Sequence, residues 1–251
     1  MTGLNLSPIF TDAKEIPQAL REDGFAVASA QTVAQIRKTS VESLESLNRY
    51  WEGLPREPYL KDGGRYRFRR HASYEIKNNV LTLVPHRAHW QPVDYNALHG
   101  GIERWFEPVQ SAVMNDPAWQ AVLLGLANLL SGLKPVTTWF VEAHQFRIDT
   151  TDGIGRPTPE GAHRDGVDFV AVFLLDRVGI KGGETRIFDA QGSAGLRFTL
   201  TQPWSLLLMN DERMIHESTP IQPLAKYGYR DTLVLTFRSN GFQDSPHRGQ
   251  Q

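Results

Sequence analysis

Apolar residues fall mostly at helical spacing in the first half of this chain and mostly at strand spacing in the second. Scattered apolar positions over 13–20 predict a short helix. Phe25-Ala26-Val27-Ala28 predicts a first strand, entered through Asp23-Gly24. Val33, Ile36, Val41, Leu44 and Leu47 recur at helical spacing and predict a helix from about 30 to 47 that covers a sheet. Residues 66–84 read as extended, with a turn at Asn78-Asn79. A second helical region is predicted over 101–130, broken near Asn115-Asp116-Pro117, because proline lacks the donor a helix needs.

Beyond Gly132 strand-like runs take over, at 137–148, 168–175, 184–188, 196–200, 205–209 and 232–237. Turns such as Lys181-Gly182-Gly183 and Gln191-Gly192-Ser193 separate several of them. Many short strands at this pitch predict a mainly β sandwich or jelly roll with flanking helices, not a parallel α/β sheet. An up-and-down barrel satisfies the same spacing. The length of 251 residues suits a single domain. It divides into a helix-and-strand support region over about 1–132, a core over 133–238 and a polar, loose tail over 239–251.

The 27 Lys and Arg balance 28 Asp and Glu, so no nucleic-acid or anionic-membrane partner is implied. The local cluster Arg65-Tyr66-Arg67-Phe68-Arg69-Arg70 reads equally well as a solvated strand or loop. The absence of cysteine excludes disulfides, thiolate metal ligands and cysteine nucleophiles. No secretory signal is visible and no apolar stretch reaches a membrane span, so a cytoplasmic protein is expected. The helices either cover the core or form a homodimer surface.

His163-Arg164-Asp165 changes the picture. Side chains two apart on an extended backbone share a face, so His163 and Asp165 could grip one ion, with Gly166 permitting a bend. His216 would complete the set from another strand, over 213–217. Two imidazoles and a carboxylate without sulfur suit Fe(II), and could also take Zn, Mn or Ni. His71, His86, His89, His99 and His247 lack this arrangement and read as surface or structural; His144 lies in a strand expected to line a barrel. Arg230, 14 residues after His216, could bind the carboxylate of an acidic cosubstrate, with Thr232 on the same face as a hydroxyl donor.

These residues resemble those of iron- and 2-oxoglutarate-dependent dioxygenases, in particular the bacterial branch related to L-isoleucine 4-hydroxylase. The resemblance rests on Pro157-Thr158-Pro159-Glu160-Gly161-Ala162-His163-Arg164-Asp165-Gly166, Gly182-Gly183-Glu184-Thr185, Asp211-Glu212-Arg213-Met214-Ile215-His216 and Arg230-Asp231-Thr232-Leu233-Val234-Leu235-Thr236-Phe237. It implies a double-stranded β-helix, a cupin-like jelly roll. The implied iron ligands are His163, Asp165 and His216, and the implied cosubstrate arginine is Arg230. The cofactors would be Fe(II), 2-oxoglutarate and O2. The retained aspartate speaks against halogenation.

The activity implied is hydroxylation of a free aliphatic L-amino acid, coupled to decarboxylation of 2-oxoglutarate to succinate and CO2. A peptide, a carrier-bound amino acid or a natural-product intermediate is the alternative substrate. A non-catalytic jelly-roll metabolite-binding module is the alternative class. A zwitterion needs a cation and an acceptor, which Arg147 and Glu160 could supply. Tyr66, Phe68 and Arg70 alternate and could form another wall, while Trp139 and Phe146 could shape apolar space. Asp211 and Glu184 are candidates to orient the ligand imidazoles. Residues 150–162 offer either a lid or an ordinary loop.

Overall fold

The computed structural model describes residues 6–96 and 98–245. Helix α1 (Ile16–Glu22) leads into β1 (Phe25–Ala28), α2 (Ala30–Arg37), α3 (Val41–Glu45) and a 3-10 turn over Ser46–Trp51. A hairpin of β2 (Arg67–Lys77) and β3 (Val80–Leu83) precedes α4 (Ser111–Met114) and α5 (Pro117–Ser131). Strands β4 (Thr138–Asp149), β5 (Phe169–Val178), β6 (Ile180–Gly182), β7 (Thr185–Asp189) and β8 (Gly195–Phe198) follow. The chain continues through β9 (Leu206–Asn210), β10 (Met214–Ser218), β11 (Ile221–Pro223) and β12 (Tyr229–Arg238).

Seven strands form one antiparallel sheet in the order β1-β9-β5-β12-β4-β2-β3. Two smaller sheets, β10-β7-β8 and β11-β6, complete the jelly roll. Alternation along the strands divides the large sheet into two faces. Ala171, Phe173, Leu206, Leu208, Leu233 and Leu235 pack with α2 and α5 in the main core. The intervening Val170, Leu174, Leu207 and Met209 pack instead with Ile187 of β7, Phe198 of β8 and Met214 of β10. Helices therefore cover one face, and the smaller sheets enclose the other.

The expected hairpin is present, with Asn78 and Asn79 both at positive φ (51° and 61°), the pairing a tight two-residue turn requires. The single helix expected over 30–47 is broken, because Lys38 adopts a left-handed conformation and the Ser40 side chain caps a new helix at Ser43 N. The stretch 101–110 is not helical. Its backbone is committed elsewhere: Arg104 exchanges two hydrogen bonds with His89, at 2.9 and 3.0 Å, and His71 bonds Glu107 and Val109 at 3.0 and 3.1 Å. The expected turn at 181–183 carries the short strand β6, which pairs with β11. The first 132 residues also give β1, β2 and β3 to the large sheet.

Candidate active site

His163 lies just ahead of β5 and His216 in β10. The two backbones are bonded in both directions, His163 N to His216 O at 3.0 Å and His216 N to His163 O at 2.9 Å. Asp165 sits in the bend after His163. Its Oδ1 is 4.0 Å from His163 Nε2 and its Oδ2 is 3.8 Å from His216 Nε2. The three donor atoms lie within 4.8 Å of one another. His163 Nδ1 bonds Gly161 O at 2.9 Å, which assigns the ring proton to Nδ1 and leaves the Nε2 lone pair facing Asp165.

The bend itself is held by Asp211. Its Oδ1 accepts from Asp165 N at 3.0 Å, and its Oδ2 accepts from Gly166 N at 2.7 Å and Val167 N at 3.0 Å. Gly166 has φ +73°, and a Cβ there would meet the Tyr95 ring at 2.5 Å, so a side chain is excluded twice. Asp211 therefore braces the loop backbone and not an imidazole. Glu184 pairs with Arg186 at 2.8 Å, and His216 Nδ1 is buried without a partner. Neither expected carboxylate orients a ring.

The electrostatics separate the two imidazoles. Burial pulls His163 down, but Asp165 and Glu160 outweigh it and hold its pKa above the usual value. Burial, reinforced by His163, holds His216 well below the usual value. With two imidazole nitrogens, which ligate in their neutral form, one carboxylate and no sulfur converging, the donor set fits a ferrous ion.

The triad opens on a cavity lined also by Arg230, Thr232, Val234 and Thr236 of β12. Arg230 is 4% exposed, stands beside Ile148 and Arg177 in the strand register, and leaves its Nε without a partner. Burial and the nearby Arg177 push its pKa down to about 10, so it remains cationic at neutral pH. A buried cation with an uncommitted N–H fits one carboxylate of a diacid such as 2-oxoglutarate.

Of the expected substrate contacts, Glu160 lines this cavity, as does Phe146. The structure does not bring Tyr66, Phe68, Arg70, Trp139 or Arg147 to it. Tyr66 donates to Asp62 at 2.6 Å, and Trp139 donates to Ser131 within the main core. Arg147 is engaged with Asp231 at 2.6 and 2.8 Å. Phe68 and Arg70 fall on the wrong parity of β2: the cavity face belongs to Arg67 and Arg69, which are 4% and 5% exposed. The basic cluster is thus not a solvated strand at these two positions.

Sequence reasoning also missed Gln91, Asn96 and Arg104, which reach the cavity from the irregular connection between β3 and α4. No periodicity marks them. Gln91 Nε2 donates to Asp165 Oδ1 at 3.1 Å, and Gln91 Oε1 accepts from Arg104 at 2.8 Å and Asn96 at 3.2 Å. The described part of the tail is not loose. Gln243 is buried, and its Nε2 bonds Asp165 O and Gly166 O at 3.1 and 3.0 Å. His247 lies outside the described residues. Residues 150–162 are tied to the smaller sheets, with Gly155 bonding Ile221 at 2.8 and 3.0 Å and Thr158 bonding Ser218 at 3.0 Å.

His71, His89, Glu142 and His144 form a second buried group whose four donor atoms lie within 4.8 Å. Two arginines already occupy it. Arg69 donates to His144 Nδ1 at 2.8 Å, and Arg87, His71 and His89 all approach Glu142 Oε1, at 3.2, 3.1 and 3.3 Å. The adjacent guanidinium charges oppose a divalent ion there.

The chain matches the family described as 2OG-Fe dioxygenase over residues 48–236. It therefore belongs to the 2OG-Fe dioxygenase family, whose cofactors are Fe(II), 2-oxoglutarate and O2. A bsmA homolog from Methylobium petroleophilum PM1 is similar throughout: 48% identity, TM-score 0.90, with 95% of this chain and 98% of that one covered. IDO from Bacillus thuringiensis shares the fold at 16% identity and TM-score 0.69, over 92% of this chain and all of that one (100%). The Fe(II)/α-ketoglutarate-dependent dioxygenase TqaL shares it at 18% identity and TM-score 0.67, over 90% and 86%. No curated protein matches the chain. Among the described residues, no helix is long and apolar enough to cross a membrane.

Proposed function

We propose that this dioxygenase hydroxylates a free aliphatic L-amino acid, with His163, Asp165 and His216 holding iron and Arg230 and Thr232 holding 2-oxoglutarate. One observation carries the reading: the donor triad, the buried Arg230 and the carboxylate of Glu160 line a single cavity, beside the apolar Phe146, Ile148, Val172 and Val234. When bound, iron, 2-oxoglutarate and O2 supply the oxidising chemistry, and 2-oxoglutarate leaves as succinate and CO2.

The chain supplies placement. Asp165 brings one negative charge and Gln91 occupies its Oδ1, which favours coordination through the other oxygen. Arg230 fixes the far carboxylate of the diacid by charge-assisted hydrogen bonds. Glu160 Oε2 is buried without a partner and suits an ammonium group. The branched aliphatic part of the lining, Ile148, Val172 and Val234, suits an aliphatic side chain held by contact. Regiochemistry follows from which carbon is held closest to the metal. Because the sequence motifs resemble those of L-isoleucine 4-hydroxylase, isoleucine is the first substrate to try.

The test is aerobic incubation with a panel of free L-amino acids, reading succinate and a product heavier by one oxygen atom. An aliphatic amino acid should stimulate succinate formation and gain oxygen. His163→Ala, Asp165→Ala and His216→Ala should abolish both, and Arg230→Met should raise the 2-oxoglutarate requirement roughly 100-fold. Full turnover by any triad variant would reject the assigned ligands. A panel without a single oxygenated product would reject the substrate class.

A further inference from the structure

We propose that Arg69 and Arg104 form the receiving site for the substrate's carboxylate, distinct from Arg230, with Glu160 taking the ammonium. The proposal rests on the amino-acid reading above and assigns its recognition to named side chains.

Strand register places the two cationic sites apart. Arg230 stands across from Ile148 on β4, which stands across from Arg67 on β2; the next cavity-facing row is Thr232, Phe146 and Arg69. Arg69 is thus two strands from β12, about 10 Å at the usual strand spacing. One small diacid held at Arg230 does not use up the charge at Arg69.

The cavity-facing arginines differ in what they already hold. Arg67 makes a two-point contact with Glu57 at 2.6 and 2.7 Å. Arg69 is left with that same Glu57 at 3.8 Å and a bond to the neutral ring of His144. Arg104 forms no ion pair among the described residues; its bond goes to the Gln91 amide. Both are almost fully buried, both line the cavity, and each leaves Nε without a partner. A buried cation needs a counter-charge, and a ligand that brings one is held strongly.

Their geometry is fixed in advance. The Arg69 guanidinium lies over Phe106 at 3.7 Å and over Phe146 at 4.6 Å, and Arg104 shares Phe106 at 5.7 Å. Contact with two aromatic faces holds the Arg69 guanidinium in place, so little freedom is lost on binding. The acceptor is equally prepared. Glu160 Oε2 is buried without a partner, and its Oε1 is 3.6 Å from His163 Nε2. Two planar cations, one anion close to the metal triad and an aliphatic wall match a free α-amino acid. A phosphate dianion would meet the Glu160 charge.

The experiment is titration calorimetry on full-length protein loaded with Mn(II) and 2-oxoglutarate, so that binding is read without turnover. Probes are the free L-amino acids, the carboxamide of each one that binds, and inorganic phosphate. Wild type should prefer acid over carboxamide by roughly tenfold or more, and phosphate should not compete. Arg69→Gln and Arg104→Gln should each shrink that preference to about threefold or less while 2-oxoglutarate affinity stays within about twofold. Arg104→Lys, which keeps the charge, should restore part of it and guards against misfolding of the neutral variant. Equal binding of acid and carboxamide, undiminished preference in both variants, or competition by phosphate overturns this assignment alone. Binding by no amino acid overturns it together with the substrate class, whereas failure of the iron assignment is read separately from succinate formation by the triad variants.

Discussion

The side-chain amide of Gln91 donates to Asp165 Oδ1 at 3.1 Å. The same side chain accepts from Arg104 at 2.8 Å, so one amide joins the proposed iron carboxylate to a cation of the substrate wall. Gln91 is 6% exposed, and Asn96 steadies it at 3.2 Å. Gln91→Ala should free Asp165 Oδ1 and weaken metal binding by roughly 10- to 100-fold, the usual effect of removing a partner behind a ligand. Titration of the apo-protein with Mn(II) would measure it. An unchanged affinity would mean that Asp165 is oriented by the loop alone.

Asp211 predicts a different failure. Its carboxylate satisfies three successive amides, those of Asp165, Gly166 and Val167. Asp211→Ala leaves these donors without their acceptor and should cost about 2–4 kcal/mol of stability, with metal affinity falling at the same time. Thermal unfolding and Mn(II) titration of the same preparation would show the two losses together. Asp211→Asn keeps one acceptor oxygen and should lose less of both. A destabilised variant with wild-type metal affinity would detach the brace from the site.

Arg147 serves the fold in this structure. It pairs with Asp231, whose side chain is 4% exposed and whose pKa burial pushes up to about 6. Arg147 is itself partly exposed, so the pair is discounted for solvent: Arg147→Gln should lower stability by about 1–2 kcal/mol. Its effect on the acid-over-carboxamide preference should be nil. Urea unfolding and the calorimetric panel separate the outcomes, and a lost preference would return Arg147 to the substrate wall.

These positions show what was legible in the sequence. A fold of many short strands was, because strand runs and turns recur at short, regular intervals after Gly132; spacing left the barrel open, and the family resemblance pointed to the jelly roll. The nearness of His163, Asp165 and His216 was also legible: the i, i+2 spacing pairs the first two, and the family resemblance added His216. Parity on β2 was not. Arg65 to Arg69 alternates basic and aromatic residues, and each alternate set offers a plausible cavity face; only the pairing of β2 with β4 decides for Arg67 and Arg69. The contributions of Gln91, Arg104 and Gln243 were hidden because irregular backbone carries no period. Their positions depend on contacts with residues far along the chain.

The histidine-rich interior predicts a pH dependence of stability. Burial pushes His89 down to about 4, and burial likewise lowers His71 and His144. Unfolding returns each ring to an ordinary pKa near 6.5, so the unfolded chain takes up protons that the folded one refuses. Stability is therefore complete above about pH 6.5 and falls as the pH drops toward about 4, by at most roughly 1.4 kcal/mol per pH unit for each such ring. His163, raised by its carboxylate neighbours, runs the opposite way and loses its contribution as pH rises. With His99 and His216 also lowered, five lowered rings stand against one raised ring, and the imidazoles give a net loss in acid. Urea midpoints of metal-free protein from about pH 7.5 to about pH 5 would measure it, and a flat profile would contradict the buried neutral rings.

The mutual main-chain bonds between His163 and His216 carry a last consequence. Those peptide groups hold the two histidine-bearing backbones side by side. A chelator that strips the metal should leave the cradle standing, ready to be refilled without refolding.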